Sequence, residues 1–285
     1  MRSGDEMKAI PRFPELDIEP AVQTRDALHA YASILGDWLK SCQRKRKHWW
    51  HASLRPSMAG LTTGVVHAGI DFELEIDLRA SRIIGRTSEG AQLIEMIDGQ
   101  AAGVLAREIS DFLTASGVES GLIPANKSQG SDRFSGYSAE HAQSIGRVLS
   151  GVNAAMAEFR ALIPEETSPI QLWPHHFDLS MLWLPGEKIE GQDPENEEYS
   201  DKQMNFGFTF GDTGIPEPYF YVKAYPLPDG FPSLPLPVGT EWKTEGFSGA
   251  VLLYKTLAES SDPTGYLLDL WTRLLSAGRV QMLAE

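Results

Sequence analysis

Residues 71–78, DFELEIDL, restrict the fold more than any other stretch. Phe72, Leu74, Ile76 and Leu78 alternate with Asp71, Glu73, Glu75 and Asp77. Side chains on a strand alternate between faces, so a period of two sends the apolar set inward and the carboxylates outward. Such a strand belongs to an antiparallel sheet with one wet face. The four carboxylates line up without any other ligand type, so a solvated face accounts for them better than an acid–base pair or a cation site.

The segments ASRI and TSEGAQ read as hairpin turns that extend this strand into a meander. Helical periodicity brackets it on both sides. Thr24 starts a helix that runs to about Cys42, with Ala27, Leu28, Tyr31, Ile34, Leu35, Trp38, Leu39 and Cys42 on one face. A second helix, from about Gly99 to Ser116, turns Ala102, Leu105, Ile109, Phe112 and Leu113 inward, and Gly117 is placed to end it.

The plan then repeats. Ser138 caps a helix to about Leu162, striped by Ile145, Val148, Leu149, Val152, Met156 and Phe159. A strand IQLWPHHFDLSML (170–182) follows, then the acidic loop GEKIEGQDPENEEYSDK. QMNFGFTF and PYFYVKAYPL flank the turn GDTGIPE, a proline-rich loop leads to the strand FSGAVLLYK, and Asp262-Pro263 opens a last helix to about Leu283. KHWWHASL and LWPHHFDLSM hold matching positions, as an internal duplication would place them. The expected organisation is an arm over 1–20, a first half over 21–117, a linker or long loop over 118–137 and a second half over 138–285. The expected fold class is α+β, two similar helix–antiparallel strands–helix halves packed as one globular unit.

Composition narrows the function. A 285-residue chain that is 42% hydrophobic has ample material for a core. Its formal net charge of −14 repels nucleic acid and anionic membranes. The basic run RKRK, Arg44 to Lys47, follows a predicted helix and reads as its cationic carbonyl end. No apolar run is long enough to span a bilayer, the N-terminal residues lack a signal-peptide core, and the single cysteine fits a reducing compartment. A cytoplasmic protein of bacterial type is expected. Cys42 lies on a core stripe with no base near it in sequence, which favours an inert thiol.

The chemistry-bearing residues concentrate in two stretches. Read as strands, HWWH sends His48 and His51 to opposite faces, and splits Trp49 from Trp50. The same alternation places His175 with Trp173, Phe177, Leu179 and Met181, and leaves His176 with Asp178 and Ser180. His176 and Asp178 are thus the candidate catalytic pair, a base or ligand and its orienter. A hydrogen-bonded pair that only holds the strand in register explains them as well. A facial iron site would take its third ligand from a later histidine, and no histidine follows His176. The acidic loop lacks the spacing of a calcium loop. Nucleophile-elbow, phosphate-loop, dinucleotide and zinc-protease motifs are absent. Tyr219, Tyr221 and Tyr225 share a face with Lys223, which suits a cleft wall, a protein interface or plain sheet packing.

HWWHASL, GLTT, FELEIDL, RTSEG, SPIQLWPHHFDLS and PEPYFYVKAYPLP, in that order, resemble an uncharacterised bacterial family, the domain-of-unknown-function family DUF5996. The likeness runs from about Leu28 to the last helix. It implies a whole-chain unit and carries no activity, cofactor or catalytic residue. The expected function is binding, with or without transformation, of a small organic molecule in a cleft between the halves, lined by Trp50, His51, Glu217 and Tyr221 beside His176 and Asp178. The rival is a non-catalytic interaction module that uses the tyrosine face. Metal, cofactor and oligomeric state are left open.

Overall fold

The first apolar stripe forms helix α1 (Val22–Cys42), whose buried face carries Ala27, Leu28, Tyr31, Ile34, Leu35, Trp38 and Leu39. This computed structural model describes residues 11–122, 124, 136–196 and 198–283. Residues 1–10 of the expected arm, and 123 and 125–135 of the expected linker, lie outside the described residues. Thr24 is not the helix cap: α1 begins earlier, and the Thr24 hydroxyl accepts the Ser138 amide at 3.0 Å. Cys42 is half-buried, and desolvation pushes its thiol up to about 11, as an inert group requires.

The first sheet comprises β1 (Arg55–Pro56), β2 (Gly60–Thr62), β3 (Val66–His67), β4 (Asp71–Asp77), β5 (Arg82–Thr87) and β6 (Gly90–Glu95). The strands are antiparallel in the order β1-β2-β4-β5-β6, with β3 also on β4. Phe72, Leu74 and Ile76 point into the core as expected. The wet face is only partly wet, because Glu75 and Asp77 are buried. Cross-strand partners make this tolerable: Arg86 reaches Glu73 at 3.2 Å and Glu75 at 2.8 Å, and the Asp77 carboxylate accepts the Arg79 and Ala80 amides. Helix α2 (Ala102–Ala115) covers the inner face, and Gly117 ends it at a φ of 102°.

Helix α3 (Ala139–Ala161) opens with the Ser138 hydroxyl accepting the His141 amide, the expected cap. The second sheet comprises β7 (Glu166–Thr167), β8 (Gln171–Trp173), β9 (Asp178–Leu184), β10 (Gln203–Thr209), β11 (Tyr219–Tyr225), β12 (Thr240–Lys243) and β13 (Gly249–Leu253). All its pairs are antiparallel, in the order β12-β13-β11-β10-β9-β7, with β8 on β9. A short helix α4 (Tyr254–Ala258) and a long α5 (Pro263–Met282) complete the chain, with Asp262 capping α5 through the Gly265 amide. The fold class is α+β, with helices packed on two antiparallel sheets.

Phe159 of α3 and Trp271 of α5 pack on Phe206 at centroid distances of 4.9 and 6.4 Å, so the helices lie on the face that carries Met204, Phe206 and Phe208. The other face of this sheet looks toward the first half. Leu54 and Leu172 exchange backbone hydrogen bonds of 3.0 and 2.9 Å across the junction, and one hydrophobic core runs through both halves. Among the described residues no helix is long and apolar enough to cross a membrane.

One strand expected from the sequence is absent and another is interrupted. Lys47–Ala52 is a 3-10 turn in which His48 and Trp49 take positive φ values of 53° and 55°. Residues 174–177 form a turn between β8 and β9, with Phe177 at a φ of 55°. Pro174 cannot donate a ladder hydrogen bond, and the chain reverses there. The alternation expected across HHFD therefore slips. Trp173 pairs with Asp178 and stands on its face, and His176 belongs to the turn.

Candidate functional site

The outward face of the second sheet is a floor of cross-strand rows. Asp178 of β9 lies beside Thr209 of β10 and Tyr219 of β11; Ser180 beside Gly207 and Tyr221; Leu182 beside Asn205 and Lys223; Gln203 beside Tyr225. Ordinarily such a face is solvated. Here Asp178, Ser180, Leu182, Gln203, Thr209 and Tyr221 are all buried. The expected tyrosine face of β11 is thus present, with Phe220, Val222 and Ala224 on the core side.

Gly207 shapes the floor. A Cβ at this position would overlap the Tyr221 ring, so its absence lets that ring lie flat across β10 and reach β9. Tyr221 Oη donates to Asp178 Oδ2. Trp173 Nε1 donates to Ser180 Oγ at 2.8 Å. Asp178 Oδ1 is buried without a partner.

Burial raises the Asp178 carboxyl above the usual aspartate range, against the Tyr221 hydrogen bond and the nearby His176 and Lys223, which act to lower it. Tyr221 is pushed well up by burial and by the Asp178 charge, so it stays a phenol and a donor.

Above the floor lies a cavity of about 1010 Å³. Its walls include Lys40 of α1, His48 and Trp49 of the 3-10 turn, and Tyr199 of the acidic loop. Phe247 and Ser248 stand at the entry to β13. Helix α1 approaches closely because Gly36 faces Pro174, where a Cβ would come within 2.8 Å of the ring, and Ser33 Oγ donates to the Pro174 carbonyl at 3.0 Å. Ser33, Gly36 and Lys40 fall on one helical face, so this contact also aims Lys40 at the cleft. Of the four non-glycine residues with positive φ among the described residues, His48 and Trp49 line the cleft, Phe177 directly precedes Asp178, and Ser81 lies elsewhere. Backbone strain of this kind collects at functional sites.

A second cluster holds the rim. Asp201 accepts from Lys47 Nζ at 2.5 Å, Lys188 Nζ at 2.5 Å, His48 Nε2 at 2.8 Å and Ser200 Oγ at 3.1 Å. Burial raises this carboxyl, but the hydrogen bonds from Lys188, Lys47 and His48 outweigh it and hold it well below the aspartate range. Desolvation lowers His48, with Asp201 opposing. The first-half histidine thus reaches the second half through Asp201, not through Asp178.

The residues singled out by sequence divide accordingly. His176, Asp178 and Tyr221 line the cavity; Trp50, His51 and Glu217 do not. His51 is buried, its Nδ1 accepting the Arg46 amide at 3.2 Å within the turn, and Glu217 is exposed before β11. The positive φ at His48 and Trp49 turns these two toward the cleft in place of their neighbours. Asp178 takes Tyr221 as its hydrogen-bond partner, not His176. His175, its ring tilted against that of His176 at a centroid distance of 4.3 Å, is lowered to about 4 by desolvation and that neighbour. Ser180, Asn205 and Gly207 were not singled out. An outward small or polar residue every second position of two adjacent strands was the available signal, but it needs the register to interpret.

Among the described residues no group of three or more His, Cys, Asp or Glu side chains is placed to hold a metal ion. What the site offers chemically is a buried carboxyl held by the Tyr221 hydroxyl, aromatic walls and lysine ammonium groups. No curated protein and no solved structure matches the chain. The model of one family of unknown function matches residues 13–280, nearly the whole chain, and the protein belongs to that family, DUF5996.

Proposed function

We propose that this protein binds a small organic molecule in the cleft between the second sheet and the α1 and 3-10 segments of the first half. The observation that carries the reading is Asp178 Oδ1, a buried carboxyl oxygen without a partner on the floor of a cavity of about 1010 Å³. A buried polar atom left unsatisfied costs about 1–3 kcal/mol, so folds keep few of them without a use. Asn205 Oδ1, on the same floor, is in the same state. The volume is at the upper end of the roughly 300–1,000 Å³ typical of ligand clefts. The interaction-module reading needs exposed tyrosines, whereas Tyr219 and Tyr221 are buried, Tyr221 in the cleft wall.

The test uses a mixed panel of anionic, neutral and cationic aromatic fragments, read by ligand-observed NMR. Ser248 is exposed at the rim, so Ser248→Trp plugs the cleft without touching the core. Fragments are expected to bind the wild type and to lose binding to Ser248→Trp. Equal binding to both proteins, or no binding to the wild type, overturns the reading.

A further inference from the structure

The charge of the cleft runs against the charge of the chain. The protein carries a formal −14, yet the lysines of the lining, Lys40 and Lys223, are poorly neutralised. The nearest acid to Lys40 is Asp37 at 3.8 Å, and among the described residues Lys223 has no carboxylate within ion-pair distance. The lining acids are Asp178 and Glu198. Of these, Asp178 already accepts the Tyr221 hydroxyl, and burial raises its carboxyl.

Lys223 is placed as a recognition group. It shares a cross-strand row with Asn205, and its Nζ lies 4.9 Å from the Phe247 centroid and 5.7 Å from that of Tyr221. Cation–π contacts orient the ammonium but leave it a net charge, which a bound anion would neutralise. The rest of the lining is rich in aromatic rings: Tyr199 and Tyr225 pack at a centroid distance of 4.8 Å, tilted by 53°, and Trp49 and Phe247 also line the cleft. Among the described residues the lining contains no arginine. The ammonium of Lys223 carries a single positive charge, which a singly charged carboxylate matches and a doubly charged phosphate exceeds.

We propose that the cleft selects a planar organic anion, an aromatic carboxylate, with its charge on Lys223 and its ring against the Tyr199, Tyr225 and Phe247 walls. This rests on the cleft reading above. It assigns Lys223 the choice of charge and the aromatic walls the choice of shape, while the unpaired oxygens of Asp178 and Asn205 receive hydrogen-bond donors on the ligand.

Isothermal titration with size-matched probes tests it: 2-naphthoate, 2-naphthamide, 2-naphthylmethylammonium and decalin-2-carboxylate. 2-Naphthoate is expected to bind the wild type tightest, with the amide and the saturated acid each weaker by about tenfold, the scale of one unmatched charge or stacking contact. Lys223 is exposed, so Lys223→Met leaves the fold intact. It should weaken 2-naphthoate by about tenfold and leave 2-naphthamide unchanged, with Lys223→Arg restoring the anion preference. A purely structural lysine would move both ligands together. If the ammonium probe binds tightest, or Lys223→Met weakens acid and amide equally, the anion assignment falls. If those probes still lose binding to Ser248→Trp, the cleft reading stands without it. If no probe binds while other fragments bind and are blocked by Ser248→Trp, the ligand class alone is wrong.

Discussion

The outward faces of the two sheets start from one plan, polar residues alternating with core residues, and end in opposite states. On the first sheet each buried acid has its partners. Glu75 takes Arg86 and the Ser57 hydroxyl, Glu73 takes Arg86 and the Thr62 hydroxyl, and Asp77 takes backbone amides. On the second sheet Asp178 and Asn205 each keep an oxygen that nothing in the described protein satisfies. A satisfied face needs only solvent beyond it. On the reading proposed above, a bound ligand supplies the partners that the second face lacks.

Gly207 is the position where this comparison breaks most readily. Gly207→Ala puts a methyl group into the Tyr221 ring, which must leave the floor and release Asp178. We expect a loss of about 2–3 kcal/mol, in the range of overpacked cores, with loss of fragment binding. Urea denaturation read by tryptophan fluorescence checks the first and NMR the second. An unchanged midpoint with binding intact would mean that the ring does not lie where the floor requires it.

The two buried aspartates sharpen the contrast through pH. Asp201 is ringed by cations and held below the ordinary aspartate value of 3.8, so it contributes stability above that value and loses it as pH falls through the lowered one. Asp178 is raised above 3.8, so its native state keeps a proton that the unfolded chain releases, and its contribution declines as pH rises from 3.8 through the raised value. Asp201→Asn should cost about 2 kcal/mol at neutral pH, below the roughly 3–5 of a fully buried pair because both lysines are partly exposed, and the cost should shrink in acid. Asp178→Asn should show the opposite trend, gaining on the wild type as pH rises. Parallel pH–stability curves for the two variants would remove the distinction between them.

How much of this was legible in the sequence follows from where each signal is stored. The period of 71–78 and the stripes of the helices are local, and the α+β architecture followed from them. Ser138 and Asp262 were readable as caps because a cap is decided within one turn. Asp178 and Tyr221 stood out as polar or aromatic residues in apolar runs, and the fold brings them together through a register and a glycine that no local pattern encodes. Read as extended, the segment splits Trp49 from Trp50 and His48 from His51, and nothing local says which of each pair faces the cleft. Two consecutive left-handed residues that are not glycine carry no propensity signal; they are held by contacts made far away, such as that of His48 with Asp201.

Tyr221→Phe isolates the hydroxyl from the ring. The phenyl group still covers Gly207, but Asp178 Oδ2 loses its donor and joins Oδ1 in being unpaired. The cost should be about 1–2 kcal/mol by denaturation, less than that of Gly207→Ala because the packing survives. The rise of Asp178→Asn stability with pH, measured in this background, should steepen, since the hydrogen bond that favours the carboxylate has gone.

The first sheet supplies the control. Arg86 of β5 bridges Glu73 and Glu75 of the adjacent strand β4, but its side chain is 41% exposed, so water already screens the pair, and the Ser57 hydroxyl still donates to Glu75 when the arginine is removed. Arg86→Met should cost about 0.5 kcal/mol, fall further in high salt, and leave fragment binding unchanged. If it cost as much as Gly207→Ala, the first face would depend on its charges as strongly as the second depends on its packed tyrosine, and the contrast between a satisfied and an incomplete face would lose its physical basis.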